Sequence, residues 1–319
     1  MALRTSFTDI VKVQHPIVSA PMGGSAGGVL AAAVSNGGGL GLIGGGRSGI
    51  DWIDHEVAHV ARQTSKPWGI GFLSWGTTIE TVEHALAYEP SAVMLSFGDP
   101  EPFAAAVRGS TATLIIQVVN MDEARRAVDV GADVIVAQGS EAGGHGGTRA
   151  TLPFVPAVVD LVSPIPVLAA GGIADGRGLA AALSLGAAGA LVGTRFQVST
   201  EALVNAESVK AILHGHGEDT ERSRVLDIAR DVPWPARYTG RTLRNEFLDQ
   251  WRNREDELEA DAEAHERYRQ AQERGDMRAV AVWASEAIDL ITESKSAADI
   301  VAIMAKGAED ALRRILERR

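Results

Sequence analysis

Cysteine is absent from all 319 residues. Without a thiol there are no disulfides, no thiolate metal sites and no cysteine nucleophile, and a reducing compartment suits the chain. An excess of basic charge is missing too: 30 Lys and Arg stand against 41 Asp and Glu, a formal net charge of −11. With no basic patch to offset that sign, nucleic acid and anionic membrane are excluded as expected partners. No apolar run reaches the roughly 20 residues that span a bilayer, and the first residues lack the apolar core of a secretory signal. The expectation is a soluble, cytoplasmic globular protein. Repeats are also lacking: the 35 glycines sit at the ends of apolar runs, not at a fixed period, which excludes collagen-like and low-complexity chains.

What is present is an alternation. Residues 16–22, 39–44, 67–73, 92–98, 113–119, 132–139, 166–172 and 189–196 have strand length and a continuous rather than alternating apolar character, as parallel strands covered on both faces have. Segments with helical spacing separate them, such as 52–62, with Ile53, Val57, Val60 and Ala61, and 122–130, with Ala124, Ala127 and Val128. Eight strand-plus-helix units in the first 200 residues predict a TIM (β/α)8 barrel. A doubly wound sheet accounts for the same alternation, because strand order is not written in a sequence.

Barrel chemistry sits at the C-terminal ends of the strands, and the unusual residues fall there. Ala20-Pro21-Met22-Gly23 follows the first run, Gln117 ends the fifth, Gly171-Gly172 ends the seventh and Gly193-Thr194 lies in the eighth. Glycine frees backbone N–H groups, and loops after the seventh and eighth strands are the usual phosphate site. The sixth run opens into Ala137-Gln138-Gly139-Ser140-Glu141-Ala142-Gly143-Gly144-His145-Gly146-Gly147. Five glycines let this backbone approach a ligand closely. His145 has no sequence neighbours to pack against, which points to a catalytic or ligand-facing imidazole. An idle histidine on a surface loop is the plain alternative.

Two tempting motifs are set aside. His55-Glu56-Val57-Ala58-His59 fits H-E-x-x-H, yet it falls in the second crossover helix, where polar residues on a solvent-facing side account for it. Gly39-Leu40-Gly41-Leu42-Ile43-Gly44 fits G-x-G-x-x-G, but its glycines lie along a strand rather than opening a helix.

After Phe196 the pattern changes. Residues 200–275 show no strand-like run, and 200–213 reads as a helix ended by His214-Gly215-His216-Gly217. Residues 252–274 carry dense charge of both signs, the mark of a solvated helix face. Ser296 is placed as N-cap of a helix over 297–316, with an apolar stripe of Ile300, Ile303, Met304, Ala308, Ala311, Leu312 and Ile315. The expected organisation is a barrel over 1–200, a helical cap over 201–290 and a helix over 291–319 returning to the barrel.

Taken together, residues 16–23 (PIVSAPMG), 137–147, 166–173 (PVLAAGGI) and 193–196 (GTRF) resemble the nitronate monooxygenase family, formerly 2-nitropropane dioxygenases. The resemblance implies FMN at the C-terminal mouth of a TIM barrel. It implies flavin contacts from Ala20, Pro21, Met22, Gly23, Gln117, Gln138, Gly143, Gly144, Gly171, Gly172, Gly193 and Thr194, and makes His145 the active-site histidine. No metal is implied. The substrates would be a nitronate or neutral nitroalkane and dioxygen; nothing in the pattern speaks to oligomeric state. His145 would act as a base toward a nitroalkane or as a cation beside a nitronate. Relatives of the same superfamily that reduce quinones with NADH or act as enoyl-ACP reductases are the alternatives, with a non-redox phosphate-metabolite barrel behind them. One departure stands out. Many bacterial members read Gly-Val-Asn after the third strand, where this chain has Gly69-Ile70-Gly71-Phe72.

Overall fold

The computed structural model describes residues 3–317. Eight parallel strands form one sheet in the order β1-β9-β8-β6-β5-β4-β3-β2. They are β1 (Ile17–Ser19), β2 (Gly41–Gly46), β3 (Trp68–Leu73), β4 (Ala92–Ser96), β5 (Thr113–Val118), β6 (Val134–Gln138), β8 (Val167–Ala170) and β9 (Gly189–Val192). A parallel bridge between Val18 and Leu40 joins the two edges, so the sheet closes into a TIM barrel. The doubly wound alternative is thereby excluded.

Alternation along the strands divides the apolar side chains. Val18, Leu42, Met94, Ile115, Val136, Leu168 and Leu191 fill the barrel, and Phe7 and Val11 of the helix Ser6–Val11 plug one end. Ile43, Ile70, Val93, Leu114, Ile116 and Ile135 point outward against the helical ring. Both faces are dry, which is why the strands are apolar through their centres, with the polar Ser19, Ser96, Gln117 and Gln138 at or near their C-terminal ends.

Several runs stop being strand sooner than their apolar character suggests. β1 ends at Ser19, β4 at Ser96 and β9 at Val192. Phe97 (φ 58°) and Gly98 (φ 130°) turn the chain out of the ladder, and Thr194–Gln197 is a single helical turn. These residues leave the sheet to build the mouth of the barrel.

The segment after β9 is not wholly helical. It contains β10 (Thr220–Ser223) and β11 (Thr239–Leu243), which form an antiparallel sheet with β7 (Gly144–Gly146) in the order β10-β11-β7. His145 pairs with Gly240 across that sheet. The expected helix of 200–213 is shorter, Ala206–His214, because Asn205 caps it by accepting from the Ser208 amide at 2.8 Å. The charged stretch forms two helices, Glu255–Ala260 and Ala262–Glu273. Its buried side is Leu258, Ala264, Tyr268 and Ala271, packed on Val225, Leu226, Leu248 and Trp251.

The helix Ala297–Leu316 is capped by Ser296, which accepts from the Asp299 amide. Ile300, Val301, Met304, Ala305 and Ala308 pack against the barrel helices through Leu30, Val34 and Leu179. Ile303 departs from the expected stripe and is 51% exposed, while the side chain of Ile315 lies outside the described residues. No helix among the described residues is long and apolar enough to cross a membrane.

The H-E-x-x-H segment also differs from expectation. Glu56 is buried, not solvated, and its Oε2 accepts from the Gly28 amide at 2.6 Å. It satisfies the start of the neighbouring helix Gly28–Asn36, a structural task.

Candidate active site

The barrel mouth holds a cavity of about 270 Å³. Ala20, Pro21, Met22 and Gly23 enter it after β1, Gln117 from β5 and Gln138 from β6. Gly143, Gly144 and His145 come from β7 and the turn before it, Gly171 and Gly172 from the end of β8, and Gly193 and Thr194 from the end of β9. Every candidate residue read from the sequence lines this one cavity.

Much of the wall is bare backbone. A Cβ added at Gly23 or Gly144 would meet nothing within 4 Å, and Gly171 (φ +102°) and Gly172 (φ +71°) adopt the left-handed conformation that side chains resist. The amides of Gly172, Gly193 and Thr194 donate to no described residue. Buried Gln138 donates through Nε2 to the His145 carbonyl at 3.0 Å, while its Oε1 has no partner.

His145 is not the unpacked loop residue that its glycine neighbours suggest. Its side chain is 9% exposed. The contacts arrive from far along the chain: its ring stacks on Trp234 with centroids 3.5 Å apart, and Trp283 lies 5.1 Å away. Asp227 Oδ2 stands 2.8 Å from Nε2. Burial lowers the histidine pKa below its usual value; hydrogen bonding to Asp227 works against that, while Arg230 and Arg222 add to it. The imidazole is therefore neutral at pH 7, and Asp227 selects the tautomer with the proton on Nε2. Nδ1 makes no hydrogen bond to a described residue and is left as an acceptor.

Half-buried Arg222 and buried Arg241 hold the loop that carries this histidine. Arg222 donates to the carbonyls of Ser140 and Ala142 at 2.9 Å each, and Arg241 donates to Ser140 at 3.1 Å. Burial pulls the Arg222 pKa down to about 10, yet the guanidinium stays charged at neutral pH. The same small sheet thus sets both the strand pairing and the loop.

The sequence matches the family model described as Nitronate monooxygenase over residues 4–75 and 73–307. The chain belongs to the nitronate monooxygenase family. It is 32% identical to a nitronate monooxygenase of Neurospora crassa, over 94% of this chain and 90% of that one. It is 35% identical to the (3aS,4S,5R,7aS)-5-hydroxy-7a-methyl-1-oxo-octahydro-1H-indene-4-carboxyl-CoA dehydrogenase of Rhodococcus jostii over 70% of its length, and spans only 64% of that relative. Among solved structures, FabK from Thermotoga maritima matches with a TM-score of 0.88 at 29% identity, over 99% of both chains.

Within this nitronate monooxygenase family member, the departure at Gly71 has a physical reason. A Cβ there would lie 2.3 Å from Pro21 Cγ, so no asparagine fits while Pro21 keeps its place. The neighbouring Phe72 lines the cavity.

Sequence reasoning missed Asp227, Arg230, Trp234 and Trp283. Arg230, Trp234 and Trp283 line the cavity, and Asp227 stands behind it. Pro233-Trp234-Pro235 was the one local signal, an aromatic fixed between two prolines in a polar stretch.

Proposed function

We propose that this protein is an FMN-dependent oxidoreductase that converts alkyl nitronates, and neutral nitroalkanes after deprotonation, to carbonyl compounds and nitrite with dioxygen. The observation that carries this reading is His145, bound through Nε2 to Asp227 with its Nδ1 unpartnered, at a glycine-walled cavity in a fold of the nitronate monooxygenase family.

The residues present fit a flavin mononucleotide. The free amides of Gly172, Gly193 and Thr194 suit a phosphate without a basic side chain. The buried, unpartnered Gln138 Oε1 suits a ring N–H. Ala20, Pro21, Met22, Gly23, Gln117, Gly143, Gly144 and Gly171 would complete the cradle. When bound, the flavin supplies the one-electron chemistry that lets an anion react with triplet dioxygen, which no side chain can do.

The chain's own part is proton transfer, orientation and exclusion of water. His145 Nδ1 takes the proton from the carbon next to the nitro group. Asp227, accepting from Nε2–H, keeps the ring oriented and steadies the imidazolium that results. The segment 201–290 acts as the cap, closing the mouth with Trp234 and Trp283. It is anchored on the barrel where Thr194 Oγ1 accepts from the Ser285 amide at 3.1 Å.

A second reading rests on the same histidine. A pre-formed nitronate has no proton to lose, so a neutral base also suits the α-carbon of an acyl thioester, the substrate type in the name of the carboxyl-CoA dehydrogenase relative.

The anaerobic flavin spectrum tests both. A yellow protein bleached by propyl-2-nitronate, with nitrite formed on admitting air, supports the first reading. Bleaching by an acyl-CoA alone supports the second. Bleaching by NADH alone points to a quinone reductase, and a colourless protein that takes up no FMN overturns every flavin reading.

A further inference from the structure

Among the described residues lining the cavity, Arg230 is the single lysine or arginine, and no aspartate or glutamate joins it. Its guanidinium is fixed on three sides. Nε donates to the Leu226 carbonyl at 2.9 Å, Nη2 donates to Asp227 Oδ1 at 2.6 Å, and the plane lies 4.9 Å from the Trp283 ring centre. Nη1 makes no hydrogen bond to a described residue. The other oxygen of Asp227 takes the Nε2–H of His145 at 2.8 Å. One buried carboxylate, 4% exposed, therefore sets a base and a cation side by side. Each keeps one nitrogen free at the same cavity.

This arrangement does more than orient a base. A histidine that only needed orienting requires one carboxylate oxygen. Spending the second on an arginine whose remaining donors are unpaired makes sense if those donors meet a charge in the substrate. We propose that Arg230 is the substrate-recognition residue of this site, receiving on Nη1 the oxygens of a planar oxyanion, with Asp227 as the positioning residue for both His145 and Arg230. The proposal rests on the cavity being the catalytic site. With a nitronate, Arg230 meets an anion already formed. With a neutral carbon acid, the C–H bond breaks, the proton goes to His145 Nδ1, and the electron pair moves onto the substrate oxygens facing Nη1. No oxidant takes part in that step.

Isobutyrate is the probe, because it matches propyl-2-nitronate in shape and charge but does not react. Its binding to the holoenzyme is measured by calorimetry, with isobutyramide as the neutral control. Replacing Arg230 with methionine keeps an apolar stem over Trp283. Loss of a charge-assisted pair should weaken isobutyrate roughly tenfold to a hundredfold and leave isobutyramide within about twofold. The KM for the nitronate should rise by a similar factor, with kcat changed less. If Arg230→Met does not fold, Arg230→Lys serves: it keeps the charge without the fork and should recover only part of the affinity. Equal isobutyrate affinity in parent and variant overturns the proposal, and so does a parent that does not prefer isobutyrate over isobutyramide. A parent that binds isobutyrate through Arg230 but never oxidises a nitronate leaves this inference standing and removes the nitronate reading alone.

Discussion

The imidazole of His145 lies flat on the indole of Trp234, with centroids 3.5 Å apart and planes 7° from parallel. One ring comes from a strand at the barrel mouth and the other from the segment after β9. The stack therefore couples that segment to the histidine proposed as the base. Trp234 is itself held by Trp75 and Phe97, at 4.9 and 5.4 Å.

Trp234→Leu should accordingly affect chemistry and stability together. A stacked aromatic pair contributes about 0.5–1.5 kcal/mol beyond its buried area, so thermal melting should fall by a few degrees. Turnover of a neutral nitroalkane should fall more than turnover of the pre-formed nitronate, because the ring that loses its support is the base. A variant that melts lower yet deprotonates normally would show that the stack serves stability only.

Phosphate binding by bare amides is tested by a matched pair of valines. Gly172 (φ +71°) and Gly275 (φ +64°) share the left-handed conformation, and Gly275 has open space around it and does not line the cavity. Left-handed backbone costs a β-branched residue about 1–2 kcal/mol. Both variants should lose that stability, and only Gly172→Val should purify without FMN. Full flavin occupancy in Gly172→Val, read from the absorbance per mole, would sink the amide site.

Gly71 and Pro21 should behave as one unit. Gly71→Asn drives a Cβ to within 2.3 Å of Pro21 Cγ, and overpacking of this kind costs about 1–3 kcal/mol. Pro21→Gly removes the obstructing ring. The double variant should be more stable than the sum of the single changes implies, a coupling measurable by denaturant unfolding. Strict additivity would mean that the loop after β1 moves aside freely.

The barrel was legible because parallel strands buried on both faces are apolar in continuous runs rather than in alternation. Their ends were less so: Ala20–Met22, Phe97 and Gly193 look like strand, yet the cavity is made by leaving the ladder there. The small sheet was hidden for a different reason. β10 and β11 are polar, and half-buried Arg222 and buried Arg241 are set against carbonyl groups rather than apolar side chains. No local pattern announces such burial. The glycine frame lines the cavity, but the packing of His145 depends on Asp227 and Trp234, brought near by pairing of β7 with β11.

The pH dependence follows from burial. His145 faces Asp227, Arg230 and Arg222, and its pKa lies below 6.5 chiefly through desolvation. As pH falls from 6.5 the unfolded chain binds a proton before the folded one does. The histidine's contribution to stability is then complete above about 6.5 and is lost toward its lower folded pKa. The kcat/KM for a neutral nitroalkane should hold its plateau down to pH 6.5 and decline only below it. Asp227→Asn removes the partner that raises the pKa, so its acid limb should move lower still. An acid limb at or above pH 6.5 in the parent would contradict a buried neutral base.

Whether His145 is the base of this site is decided by His145→Asn on two substrates. The variant should keep its yellow colour and lose about 1–3 kcal/mol of stability, since Asp227 Oδ2 gives up its donor. Removing a general base costs roughly 10²–10⁴-fold. The measurement is oxygen consumption with 2-nitropropane and with propyl-2-nitronate, at saturating flavin and neutral pH. Turnover should fall by that order with the neutral nitroalkane and much less with the nitronate; equal losses on both, or no loss on either, would rule out His145 as the base.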